Sequence, residues 1–216
     1  MALPIIAGVG GIAALGGFLY YLLSDDDNST PKPPSPKPDI IFLAGETGVG
    51  KDTISGILKD AKFIEEHIAT AKVHKGEPID LCGYKVCIYN TGGADEQAWI
   101  NNEVKRELLE KLTHANFKVL YTYVFDANVY FNNSKKRELI NLRLNSAKKF
   151  TQQFGFELRI IGTHRDMAQK YENKMNELKN ELRGKYGVCE IYDLTQAKMQ
   201  GKQMQRQLFD FIIKGQ

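Results

Sequence analysis

The chain has 216 residues, room for one ordinary domain with appendages, and its 29 Lys and Arg against 26 Asp and Glu leave a formal net charge of +3 at pH 7. So even a balance lacks the strong basic excess of dedicated nucleic-acid binders, and no nucleic-acid partner is expected. The cysteines Cys82, Cys87 and Cys189 are odd in number, which gives no disulfide framework, and the first two are not spaced as a metal site.

Residues 2–23, ALPIIAGVGGIAALGGFLYYLL, carry no charge. As a helix the stretch is about 33 Å long, at about 1.5 Å per residue, enough to cross a bilayer. It has neither the basic start nor the A-x-A-like cleavage site of a removed signal, so it reads as an uncleaved anchor. Small residues recur four apart, as in Ala7 with Gly11 and Ala13 with Gly17. That pattern suits close packing against another helix and equally the ordinary composition of membrane helices. Residues 24–38, SDDDNSTPKPPSPKP, hold nothing apolar to bury and read as a linker. Extended at about 3.1 Å per residue, it reaches up to about 45 Å. Lys32 and Lys37 flank the anchor on its C-terminal side only, which puts residues 39–216 in the cytoplasm as the domain of a single-pass membrane protein.

From residue 39 onward, strand-like apolar runs alternate with helical patterns. Strands are predicted over 39–44, 68–74, 84–89, 117–125, 157–163 and 188–194. Helices are predicted after the glycine-rich loop that follows the first strand and over 98–113, 134–154, 167–186 and 199–213. The short connection GEPIDLCG makes the second and third strands an antiparallel hairpin, while the other connections need helical crossovers. The expected fold is α/β, a six-stranded mostly parallel sheet with helices on both faces and no internal repeat. Met167, Tyr171, Met175, Leu178, Leu182 and Tyr186 recur at three- and four-residue steps as an inward stripe, and Trp99 reads as core. The basic runs at Lys135, Lys136 and Arg137 and at Lys148 and Lys149 read as solvated helix faces.

Between the first strand and its helix lies GETGVGKDT, residues 45–53, which satisfies most of the phosphate-binding pattern G-x-x-x-x-G-K-[ST]. Gly45, Gly48 and Gly50, with Glu46, Thr47 and Val49 between them, would turn backbone N–H groups toward a phosphate, and Lys51 would neutralise its charge. Asp52 stands where the pattern has a Mg²⁺-binding hydroxyl. Thr53 is one residue too far along to replace that hydroxyl, about 100° further round the helix.

Two later stretches, NTGG at residues 90–93 and THRD at residues 163–166, follow the third and fifth predicted strands. With the phosphate loop, they make the region from residue 39 onward resemble the Ras-like small GTPases, whose motifs run P-loop, switch, D-x-x-G, then [NT]-K-x-D. The resemblance implies binding of GTP and GDP with Mg²⁺, and a protein effector. Lys51 and Thr70 would be its catalytic groups, Thr70 as the switch threonine that reaches the metal and the γ-phosphate. Asn90 and Gly93 would stand at the D-x-x-G positions. Thr163, His164 and Asp166 would read guanine, with the ring of His164 in place of a lysine; Thr195 is near the final base-contacting loop, although no Ser-Ala-Lys sequence is present. A helix-capping role is the alternative for Asp166.

Asp52, Thr70 and Asn90 would hold the metal. Two readings of the departures remain open: a charge swap, in which Asp52 supplies an anionic oxygen and Asn90 an amide oxygen, or damaged metal binding. Ala94 replaces the glutamine that orients water, with Asp95, Glu96 and Gln97 nearby, so slow hydrolysis is implied. The layout of anchor, linker and small GTPase domain is similar to that of the signal recognition particle receptor β subunit. The competing classes are a pseudo-GTPase scaffold and a P-loop small-molecule kinase; against the latter, no arginine-rich lid segment is present.

Overall fold

The structure, a computed structural model, describes residues 39–64, 79–90 and 118–215. The anchor, the linker, the strand predicted over 68–74 and the helix predicted over 98–113 lie outside the described residues, as do Thr70, Gly93, Ala94 and Trp99. Among the described residues no helix is long and apolar enough to cross a membrane.

Six strands form one sheet: β1 (Asp39–Ala44), β2 (Ile79–Leu81), β3 (Tyr84–Asn90), β4 (Val119–Asp126), β5 (Glu157–Thr163) and β6 (Val188–Ile191). Their order is β2-β3-β1-β4-β5-β6. Among the described strands, only β2 and β3 pair antiparallel. The expected α/β class and mostly parallel sheet are therefore met.

The reading of GEPIDLCG as a connection is corrected. That stretch contains β2, and the turn between β2 and β3 is only Cys82 and Gly83. Both have positive φ, 53° and 82°, as a tight two-residue hairpin turn requires. Asp80 Oδ1 accepts from Gly83 N at 2.9 Å and closes the turn.

Alternation along the strands sends successive side chains to opposite faces. On one face Phe42, Tyr121, Tyr123 and Ile160 pack with Leu144 and Phe150 of α3 (Ser134–Phe154) and Leu178 and Leu182 of α4 (Glu172–Tyr186). On the other, Ile41, Leu43, Val124 and Ile161 pack with Ile54 and Ile57 of α1 (Lys51–Asp60) and Leu208 of α5 (Ala197–Phe209). Covering both faces explains why the central strands read as nearly continuous apolar runs. The remaining α-helix among the described residues, α2 (Ala127–Asn132), follows β4 directly and has no counterpart in the predicted elements.

The third helix matches its predicted span because both ends are chemically marked. Asn133 Oδ1 accepts from Lys136 N at 3.0 Å, and Gly155 takes the left-handed conformation just past Phe154. The fourth starts later than predicted. Ala168 N reaches back to the carbonyls of His164 and Arg165, a turn and the 3₁₀ segment Gln169–Tyr171 intervene, and Met167 is left 60% exposed rather than in the inward stripe. Met175, Leu178, Leu182 and Tyr186 are buried as that stripe requires. The last helix continues as the π-helical turn Asp210–Lys214, whose Ile212 carbonyl accepts from the buried Arg159 at 3.0 Å.

Candidate nucleotide site

The connections leaving the C-terminal ends of β1, β4 and β5 meet on one edge of the sheet. In an open parallel α/β sheet this is the edge where ligands bind. The loop from Gly45 to Gly50 joins β1 to α1. A Cβ on Gly45 would lie 2.1 Å from the Val124 carbonyl oxygen, so only glycine lets the loop pass that close to β4. Lys51 is 6% exposed, and its ammonium donates to the carbonyls of Gly45 at 2.8 Å and Glu46 at 2.7 Å. The loop is wrapped around its own cation. Glu46 forms ion pairs with Lys136 and Arg143 of α3, each at 3.1 Å, which anchors the outer side of the loop.

At the end of β5 the buried Thr163 hydroxyl has two carbonyl acceptors in reach, Val49 at 2.9 Å and Phe125 at 3.1 Å. It ties the glycine-rich loop to the ends of β4 and β5. His164 follows with φ 55°, a left-handed conformation uncommon outside glycine, and its Nδ1 lies 3.1 Å from Asp126 Oδ2. The hydrogen bond to Asp126 raises the His164 pKa; burial opposes this, and the charges of Asp126 and Asp166 add to it. For Asp126 burial pushes the pKa up, but the hydrogen bonds from His164 and from Val129 N outweigh it and the net shift is downward.

Asp166 lines a cleft of about 340 Å³ together with Gly50, Thr163, His164, Thr195 and Lys198. Its Oδ1 is buried and has no hydrogen-bond partner among the described residues. The capping alternative for Asp166 is not met, since neither the 3₁₀ segment Gln169–Tyr171 nor α4 has a side-chain cap. Thr195 N donates to Asp193 Oδ1 at 3.0 Å, which shapes the third wall.

Four residues of this cleft, Phe63, Ile64, Leu194 and Lys198, have no place among the predicted site residues. Phe63 lies on the wall after α1, and the ammonium of Lys198 is 4.8 Å from its ring centroid. The signal for Lys198 was present as Thr195-Gln196-Ala197-Lys198, which a search for Ser-Ala-Lys misses at Gln196.

On the far side of Lys51, the structure joins the two unusual positions. Asn90, 6% exposed at the end of β3, donates from Nδ2 to Asp52 Oδ1. A carboxylate only accepts, so the amide nitrogen faces Asp52 and the amide oxygen faces away. That Asn90 Oδ1 is buried without a partner among the described residues. Thr53 is on a different side of α1, with its hydroxyl 3.4 Å from the Ile64 carbonyl, and does not join Asp52. Among the described residues no group of three or more His, Cys, Asp or Glu converges on one point. Cys82 is exposed at the hairpin turn and Cys87 is buried in β3, both as free thiols.

Glycine-rich loop, buried lysine and the cleft beside it belong to an α/β fold with a mostly parallel six-stranded sheet, compatible with a P-loop GTPase. Compared with protein-family models and with curated proteins, the chain gives no match.

Proposed function

We propose that the chain is a membrane-anchored guanine-nucleotide-binding protein, a GTP/GDP switch with slow intrinsic hydrolysis whose cytoplasmic domain engages a protein effector. One observation carries the reading: Asp166, whose Oδ1 has no hydrogen-bond partner among the described residues, lines a cleft that abuts the glycine-rich loop at Gly50. An acceptor there suits the N1 and N2 hydrogens of guanine, which adenine does not offer in that pattern. The anchor reading rests on the uncharged residues 2–23. When the full chain is purified in detergent and its bound small molecules are released and separated, GDP or GTP is expected. Adenine nucleotide in their place would overturn the guanine assignment.

A divalent cation needs the Asn90 amide turned over, since its nitrogen faces Asp52; with the oxygen turned toward the carboxylate, Asp52 and Asn90 would hold Mg²⁺, with Thr70 as a further oxygen ligand, and the ion would neutralise phosphate charge. A pseudo-GTPase scaffold is the second reading, and the hydrogen bond from Asn90 to Asp52 favours it, since it satisfies one carboxylate oxygen without an ion.

The two readings predict different double-mutant cycles. For the charge swap, Asp52→Ser and Asn90→Asp each weaken Mg²⁺-dependent GTP binding, by about tenfold, and the double change restores it because the two positions couple through the ion. For the scaffold with damaged metal binding, each single change improves binding and the double improves it most. Titrating GTP with and without Mg²⁺ across the four full-length proteins separates the two.

A further inference from the structure

We propose that Asp126 is a positioning residue of the nucleotide cleft: it holds the His164 imidazole through Nδ1, so that Nε2 is the ring atom offered to the base. The proposal deepens the nucleotide reading and rests on it. Asp126 does not line the cleft; His164 does.

The argument begins with register. Asp126 and Thr163 are paired residues at the ends of the parallel strands β4 and β5, so the residue after Thr163 emerges beside the Asp126 carboxylate. Asp126 Oδ1 accepts from Val129 N at 2.8 Å as the cap of α2, which fixes the carboxylate, while Oδ2 is 3.1 Å from His164 Nδ1. Each oxygen thus has a separate task. Because the carboxylate only accepts, Nδ1 must carry the proton, and this settles which ring nitrogen is left over. The left-handed backbone at His164 is unfavourable for a side-chain-bearing residue, and the bond to Asp126 compensates by tying the ring down.

A charged ring differs from a neutral one at Nε2. The cation donates there and attracts the face of a base, whereas the neutral ring only accepts. The charged groups around it are Asp126 at the end of β4, Asp166 in its own loop and Lys198 of α5 across the cleft. On the far side of Asp126, Glu46 and Lys136 line the neighbouring hollow and are paired with each other at 3.1 Å. The two nearby carboxylates favour the cation, which is therefore present below a raised pKa and lost as pH climbs through it. Nucleotide affinity should follow the same curve.

The test measures GDP affinity of the full-length chain in detergent from pH 5.5 to 8.5. The unaltered chain should lose about three- to tenfold in affinity across a midpoint above the ordinary histidine value of about 6.5. Asp126→Asn keeps a capping side chain for α2 but removes the anion, so it should move the midpoint down and weaken binding at pH 7. His164→Lys should flatten the profile, and adding Asp126→Asn to it should no longer shift anything. The His164 imidazole, followed by NMR without nucleotide and assigned with His164→Gln, should titrate lower in Asp126→Asn. A structural role confined to capping α2 would leave both midpoints in place. Unchanged affinity and midpoint in Asp126→Asn would overturn this proposal alone. Absence of any nucleotide binding by the unaltered chain would overturn the nucleotide reading and this proposal with it.

Discussion

Lys51→Ala is expected to weaken GTP and GDP binding by about 100- to 1,000-fold, the equivalent of losing one or two hydrogen bonds from a buried cation to phosphate. The ammonium is 6% exposed and donates to Gly45 and Glu46 carbonyls. It therefore sits inside the curve of the loop where a phosphate chain would run. Removing it deletes the positive side chain and also leaves two loop carbonyls without their donor. Calorimetry on the full-length chain with each nucleotide measures the loss, and circular dichroism checks that the sheet and helices are retained. Affinity equal to that of the unaltered chain would mean that the loop does not bind phosphate.

Asp166→Asn should reverse the base preference. A site built around a buried acceptor rejects a ligand that cannot donate to it by about 10⁴-fold, because the acceptor is left unpaired. Asp166 Oδ1 is already in that condition among the described residues. With asparagine, the side chain can present an N–H₂ group to the oxygen that xanthine carries in place of the guanine amino group. XTP affinity should rise and GTP affinity fall by about 100-fold or more each. Competition titrations with GTP, XTP and ATP on both proteins report the change. Equal competition by ATP and GTP in the unaltered chain would remove Asp166 from base recognition.

Elements whose ends carry their own chemistry are legible in the sequence. β1 and β5 have the spans that their apolar runs predict, and α3 is bounded by a capping Asn133 and a left-handed Gly155. The three-residue β2 is too short for alternation to register, and its turn uses a cysteine where Asn or Gly is usual. Met167 continues the periodicity of α4 but precedes the turn that starts it, so a pattern without a start signal overran the helix. In the site, local motifs located Lys51 and Asp166, while contacts between distant strands were hidden. Asp126 and His164 meet only because β4 and β5 are in register, and Glu46 reaches α3 across the fold. The bond between Asn90 and Asp52 lies between these cases. Each position is visible as a departure from a pattern, and only the fold shows that they touch.

The Thr163 hydroxyl, within reach of both the Val49 and Phe125 carbonyls, gives the cleft a fixed gauge. Val49 belongs to the end that would hold phosphates and Thr163 to the end that would hold the base, and the two ends cannot drift apart without breaking a buried bond. A ligand that joins base and phosphates at that span gains the second contact as an intramolecular event, at an effective concentration in the millimolar range or above. Nucleoside and pyrophosphate offered as separate fragments have no such gain. Selectivity for an intact nucleotide would thus be set partly by a length, held in the fold by one threonine.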